Sequence, residues 1–324
     1  MPSPAIPHLP QTTDLQTTAM PTPVITPYLN LPAGRQPRAA LFLSGGGSNA
    51  ERLLQARAEA GAAAVWEAAA LVTDNPAGSR AAALAETFGV PLIACDIRAF
   101  YREGGETRVT LATPLGRELR ERWTAELRQR LAPLAPDFGV LAGFVPLTNL
   151  TGDFPCLNVH PGDLTWLKNG VRWLVGLHTV PIERAILEGL RGLRSSVIHA
   201  LPYTGRGEDM DNGPILGLSP EVPLDFQGQS LETLRATAAA RPEKRPVGGF
   251  KDLLEQVAAH NQERLKINGD WVVLPPTVEA FARNLYGRDA AGGLWRRATP
   301  DAAWQPVATV VYGEGAPKAR MRSE

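Results

Sequence analysis

The chain has little cysteine: Cys95 and Cys156 are all it contains. Two residues so far apart make neither a disulfide framework nor a Cys-x-x-Cys zinc site. It also lacks an excess of either charge, since 33 Lys and Arg balance 33 Asp and Glu and the sequence pI is about 7.0. A protein that coats nucleic acid needs a basic surplus for phosphate contacts, so that class is not expected. No run approaches eighteen apolar residues, which argues against a membrane-spanning helix. What is abundant is glycine and proline, 31 and 29 of 324 residues, and their placement organises the chain. The length suits one large α/β domain or two modest ones.

Nine prolines fall within residues 1–37, a Thr- and Pro-rich stretch whose only charges are Asp14 and Arg35. It has neither the basic start nor the apolar centre of a signal peptide, so a cytoplasmic protein is expected. Proline at this density removes backbone donors, and residues 1–37 read as a flexible extension.

From Arg38 the pattern alternates. Residues 39–43, 68–73, 90–95 and 138–144 read as strands, while 79–88 and 117–131 read as helices. Strands apolar on both faces that alternate with helices imply a doubly wound α/β fold with a mostly parallel sheet. Ligands in such folds bind beyond the carboxyl ends of the strands. Residues 38–288 are assigned to this domain, and 289–324, with Trp295, Trp304 and a strand-like 307–312, to a tail packed on it.

Two strand ends are polar. After the first strand, Ser44-Gly45-Gly46-Gly47-Ser48-Asn49 precedes a helical pattern through Leu53, Leu54 and Ala58. Glycines let the backbone approach a ligand, and the helix start offers amide donors and the positive dipole end to a phosphate. Gly45, Gly47 and Ala50 also fit a loose dinucleotide pattern with Asp74 as its acid, and a purely structural turn is the third reading. The second polar end is Asn158-Val159-His160-Pro161, where alternation puts an amide and an imidazole on one face of a strand. Further on, Asp209-Met210-Asp211-Asn212-Gly213-Pro214 is a turn bearing two carboxylates, as such turns usually do for local backbone reasons.

The order of these motifs, together with Val72-Thr73-Asp74-Asn75-Pro76, Phe88-Gly89-Val90-Pro91, and Pro136-Asp137 leading to Val140-Leu141-Ala142-Gly143-Phe144, resembles the glycinamide ribonucleotide formyltransferase branch of the folate-dependent formyltransferases. The likeness runs from about residue 38 to about 225. It implies transfer of a formyl group from 10-formyltetrahydrofolate to a primary amine, most simply glycinamide ribonucleotide, in purine biosynthesis. It also implies that Asn158, His160 and Asp211 are catalytic, and that Leu141, Gly143, Phe144, Val145, Leu147, Asp209 and Met210 line the folate pocket. Gly45, Gly46, Gly47, Ser48 and Asn49 would hold the acceptor phosphate, and no metal is needed; His160, His178 and Asp163 are too irregularly spaced for zinc. The expected partners are small molecules, without nucleic acid or membrane, and a homodimer is allowed. A carboxylate beside His160 would favour imidazolium. Other readings keep the same three residues with an amino sugar nucleotide or water as acceptor, or make the chain a binding protein, or a nicotinamide-dependent oxidoreductase using Gly45 and Gly47.

The chain also departs from the family. Pro146 stands where relatives have arginine, and residues 162–175, with Trp166, Lys168, Arg172 and Trp173, replace the usual segment after His-Pro. Residues 235–250 form an Arg/Pro-rich insertion. Lys168, Arg172 and Arg245 are expected to be solvated. Thr179, within Leu177-His178-Thr179, resembles the family's segment after its substrate loop or else starts a helix before Pro181. Ser195-Ser196-Val197 resembles the strand leading to the aspartate turn, with serines that otherwise satisfy local backbone. The glutamate that some relatives place near the acceptor amine has no assignable counterpart.

Overall fold

A computed structural model describes residues 23–32, 34–202, 211–246 and 248–322. In chain order the elements are β1 (Thr26–Pro27), β2 (Arg38–Phe42), α1 (Ser48–Ala60), β3 (Glu67–Thr73), α2 (Ala81–Phe88), β4 (Leu92–Ala94), α3 (Ile97–Glu103), α4 (Pro114–Leu131), β5 (Phe138–Leu141) and β6 (Cys156–His160). A small hairpin, β7 (Leu167–Lys168) and β8 (Val171–Arg172), precedes α5 (Val180–Leu187), β9 (Gly192–Leu193), β10 (Ser196–Ala200), β11 (Ile215–Leu218) and β12 (Val222–Pro223). Helices α6 (Leu231–Ala239), α7 (Leu253–Leu265) and α8 (Trp271–Ala282) lead to β13 (Tyr286–Arg288), β14 (Leu294–Arg296), β15 (Gln305–Val311) and β16 (Lys318–Met321).

The main sheet has the order β1-β13-β14-β15-β11-β10-β6-β5-β2-β3-β4. Its β4-β3-β2-β5-β6 half is parallel throughout, as the doubly wound reading requires. Strand β2 shows why. Ala39 and Leu41 enter one core with Leu53 and Leu54 of α1 and Phe281 of α8, while Ala40 and Phe42 enter the opposite core with Leu119 and Trp123 of α4. A strand buried on both faces has no solvent side to leave polar. Beyond β6 the sheet turns antiparallel at β10 and β11, and a third core forms between α5, α6 and α7 around Ile182, Leu234 and Val257.

Local signals place the ends of the helices. Asp96 caps α3 by accepting from the Arg98 and Ala99 amides, and Thr113 caps α4, with Pro114 at its first position. Strand β5 stops at Leu141, three residues short of the expected 138–144, because Gly143 turns to φ 87°. Helices α7 and α8 are joined by a π turn, Lys266–Asp270, and Pro275 and Pro276 follow inside α8, where they cannot donate to the preceding turn.

Residues 23–32 of the expected flexible extension are packed into the fold. Strand β1 pairs antiparallel with β13, Leu29 is 4% exposed, and the Tyr28 ring lies against His199 and Phe281. Proline is tolerated there because β1 is an edge strand. The segment 289–324 is more than a packed tail: β14, β15 and β16 are strands of the same sheet, β15 running parallel to β11. The Tyr286 and Tyr312 hydroxyls bond at 2.6 Å in the interior and fasten this half. The sheet thus crosses both boundaries expected from the sequence. Among the described residues no helix is long and apolar enough to cross a membrane.

Candidate active site

Strand β6 carries Asn158 and His160 on one face, at the carboxyl edge of the parallel half. Its antiparallel partner β10 leads, in chain order, toward the turn at 211–214. That turn is pressed against β10: a Cβ on Gly213 would lie 1.8 Å from the His199 carbonyl oxygen, and the His199 amide donates to Pro214 O at 3.0 Å. Only glycine permits this approach. Asp211 is thereby brought to β6, where the Asn158 amide donates to its Oδ1 at 3.2 Å and His160 Nδ1 stands 4.0 Å from its Oδ2. The structure brings Asn158, His160 and Asp211 together. Asp209 and Met210 lie outside the described residues.

His160 is 4% exposed, and its Nε2 is 2.7 Å from the Leu174 carbonyl oxygen. A carbonyl only accepts, so Nε2 carries the hydrogen and Nδ1 is the nitrogen turned to Asp211. Burial pulls the imidazole pKa below its ordinary value; Asp211 and the Leu174 carbonyl oppose this, and the Arg172 charge adds to it. The expectation that Asp211 holds an imidazolium is therefore corrected: desolvation of the ring outweighs the carboxylate. The resting ring is neutral, with a lone pair on Nδ1.

Arg172 comes from the β7-β8 hairpin, whose two-residue turn Asn169-Gly170 has φ values of 54° and 77°. That Asn-Gly pair was the readable signal for a hairpin in residues 162–175. The guanidinium donates to the carbonyl oxygens of Asp211 and, at 2.9 Å, Gly213. Arg172 is thus a brace for the turn and not the solvated residue expected; its burial lowers its pKa. Lys168 is likewise engaged, with Glu188 and the face of Trp173 at 4.8 Å, and Arg245 pairs with Glu255 and with Glu183 at 3.7 Å.

The glycine-rich loop sits at the neighbouring strand end. Gly47 adopts φ 66° before α1 begins at Ser48, and open space surrounds Gly45 and Gly46, where an added Cβ would meet nothing within 4 Å. Ser44 joins this loop to segment 141–147: its amide donates to Gly143 O at 3.1 Å, and its hydroxyl accepts from the Val145 amide at 2.9 Å. Arg80, which sequence reasoning missed, donates its amide to Gly45 O at 3.1 Å and pairs with Glu51 at 2.8 Å. In the segment itself, Leu141 is 5% exposed, Phe144 packs on Trp123 and Phe42, Val145 is 46% exposed, and Leu147 O accepts from Arg120 at 2.8 Å.

Asn49 is turned away from a purely anionic role, since its side-chain amide donates to Asp270 Oδ2 at 2.9 Å. Asp270 closes the π turn, is 8% exposed, and also accepts from the Ser195 hydroxyl at 2.5 Å. Burial raises its pKa, against the lowering effect of these two bonds. This carboxylate beside the loop was not placed from the sequence; the Asn268-Gly269 break in a helical pattern was its one local sign. Ser196 accepts from the Leu164 amide and donates to Gly162 O at 2.7 Å, and the Thr179 hydroxyl donates to Glu183. Among the described residues no group of three metal-ligating side chains converges.

No protein-family model and no curated protein matches the chain. Among solved structures it is similar to phosphoribosylglycinamide formyltransferase from Coxiella burnetii, with 17% identity and a TM-score of 0.53 over 85% of this chain and 97% of that one. Glycinamide ribonucleotide transformylase 1 from Symbiobacterium toebii matches with 20% identity and a TM-score of 0.49 over 81% and 96%. A formyltetrahydrofolate deformylase from Pseudomonas syringae pv. tomato matches with 14% identity and a TM-score of 0.47 over 78% and 63%. The Coxiella likeness shows that the chain has the formyltransferase fold, the doubly wound architecture expected from the order of its motifs.

Proposed function

We propose that this protein is an enzyme that transfers a formyl group from 10-formyltetrahydrofolate to a primary amine, with glycinamide ribonucleotide as the acceptor, a step of purine biosynthesis in the cytoplasm. The observation that supports it most is the contact set of Asn158, His160 and Asp211 at the carboxyl edge of the sheet. An open glycine loop lies at the neighbouring strand end for the acceptor phosphate, tied through Ser44 to the segment proposed for the folate.

The chemistry follows from the protonation states. The acceptor amine attacks the formyl carbon, negative charge develops on the formyl oxygen, and the bond from carbon to the folate nitrogen breaks. Asn158 uses one amide hydrogen on Asp211 and has a second for the developing oxyanion. Removal of one such donor typically costs about a hundred- to a thousandfold in turnover. Neutral His160 accepts the amine's proton at Nδ1, Asp211 stabilises the imidazolium so formed, and the imidazolium gives that proton to the departing folate nitrogen, which leaves as N–H and restores the neutral ring. Leu174 fixes the tautomer that makes Nδ1 available.

One observation favours water in place of a phosphorylated acceptor at the same site: Lys168, Arg172 and Arg245 are engaged elsewhere, and Asn49 is committed to Asp270, leaving backbone amides as the main phosphate donors. Following tetrahydrofolate release from 10-formyltetrahydrofolate with and without glycinamide ribonucleotide separates these readings. Release that requires glycinamide ribonucleotide supports transfer to it, release without acceptor identifies a hydrolase, and no release in either case refutes both. His160→Ala and Asp211→Asn should each lower the active reaction by about a hundredfold or more.

A further inference from the structure

A cavity of about 440 Å³ opens against the same 211–214 turn from the other face of the sheet. On β10, His199 is registered with Leu157 and so lies on the face opposite Asn158 and His160, and His199 lines this cavity. Parts of the chain far apart in sequence build its walls: Tyr28 from the amino-terminal segment, Arg172 from the β7-β8 hairpin, and Arg288, Gly293 and Arg322 from the carboxyl-terminal strands.

Among the described residues the lining is cationic and holds no carboxylate. Arg288 has no ion pair among the described residues, and Arg172 donates to backbone carbonyls only. Arg322 stands 3.6 Å from Asp289, whose carboxylate already accepts from Trp295 Nε1 at 2.8 Å and from the Gly293 amide at 2.7 Å. Beside Arg288, the Tyr28 and His199 rings lie with centroids 4.7 Å apart and planes tilted by 47°. The Tyr28 hydroxyl is buried with no hydrogen-bond partner among the described residues, and burial raises its pKa to about 12, so it remains a donor. Burial and the Arg288 charge lower His199 to about 4, so that ring is neutral near pH 7. Cationic groups beside two aromatic rings suit a ligand that carries a ring at one end and an anion at the other.

We propose that this cavity is a second ligand site, taking a small molecule that joins a planar ring to a multiply charged anionic group, either a phosphate ester or a polycarboxylate. The site does not depend on formyl transfer, and its test reads binding alone. Isothermal titration with adenosine 5′-monophosphate, adenosine and benzene-1,3,5-tricarboxylate separates charge from ring and phosphate from carboxylate. At least one anion should bind the wild type, with adenosine much weaker than its monophosphate. The double variant Arg288→Gln/Arg322→Gln should weaken the anion by about tenfold or more, the loss expected from removing charge-assisted hydrogen bonds. Ala308→Trp, which fills the cavity and keeps both arginines, should weaken it as well, and His160→Ala should bind as the wild type does. The proposal is overturned if neither anion binds at millimolar concentration, if adenosine binds as tightly as its monophosphate, or if both cavity variants bind like the wild type while folded by circular dichroism.

Discussion

Replacing Gly213 with alanine tests whether the 211–214 turn is what delivers Asp211. The new Cβ would sit 1.8 Å from the His199 carbonyl oxygen, so turn and strand must part by at least about 1.2 Å to reach the 3.0 Å that Cβ contacts tolerate. Both partners are main chain, and no flexible side chain can absorb the clash. Three bonds stand in the path of the movement: His199 N to Pro214 O at 3.0 Å, and the two from Arg172 to Asp211 O and Gly213 O. A neutral hydrogen bond is worth about 1 kcal/mol net and one to a charged group about 2 kcal/mol; with partial relaxation of the turn, the loss is about 2–4 kcal/mol. A displacement on the order of 1 Å also takes Asp211 from Asn158, and misplacement of that size typically costs about a hundredfold in rate. Urea unfolding reads the first effect, and tetrahydrofolate release reads the second. Gly46→Ala is the control, since nothing lies within 4 Å of its Cβ, and its stability should stay within about 0.5 kcal/mol of the parent. A Gly213→Ala protein as stable as the Gly46→Ala control and as active as the parent would refute the reasoning.

The buried groups give three further expectations. Burial raises the pKa of Asp270, so the folded state keeps a proton that the unfolded chain releases near the ordinary 3.8. The associated stability is complete below that value and is lost as pH climbs through the raised pKa. Across about pH 4 to 7 the melting temperature of Asp270→Asn should therefore gain on that of the parent, and a constant difference would contradict this. Because burial lowers the His160 pKa and the ring acts in its neutral form, the acid limb of kcat/KM should fall below the ordinary 6.5, whereas a limb above it rules out the Nδ1 base. Arg241→Gln removes the close ion pair of Glu183, 5% exposed, leaving Arg245 at 3.7 Å as its partner, and should cost about 2–4 kcal/mol in urea unfolding; adding Glu183→Gln should recover part of that, and no recovery would show that the pair is not the cause.

What could be read from sequence follows how far apart the cooperating residues are. Strands β2, β3, β5 and β6 are short apolar runs, each followed by a polar break, and their pattern is local. Asn158 and His160 are legible for the same reason, since two residues on one strand share a face whatever surrounds them. The Leu174 carbonyl, which decides the tautomer of His160, lies fourteen residues on in a segment with no strong period. Asp270 meets Asn49 across 221 positions, and its orientation depends on a π turn that helical spacing does not announce. The burial that reverses the expected charge of His160 is likewise a property of the assembled cores.

Strand β1 has a consequence for the order in which this molecule is made. Its partner β13 lies some 260 positions downstream, and the Leu29 amide bonds to Asn284 across 255. On the ribosome the segment must wait for nearly the whole sheet to emerge before it can pair, so Tyr28 reaches His199 among the last of the native contacts. The wall that Tyr28 contributes to the rear cavity is therefore a late addition to a sheet whose parallel half can already have formed, and a chain stalled before residue 284 would lack it.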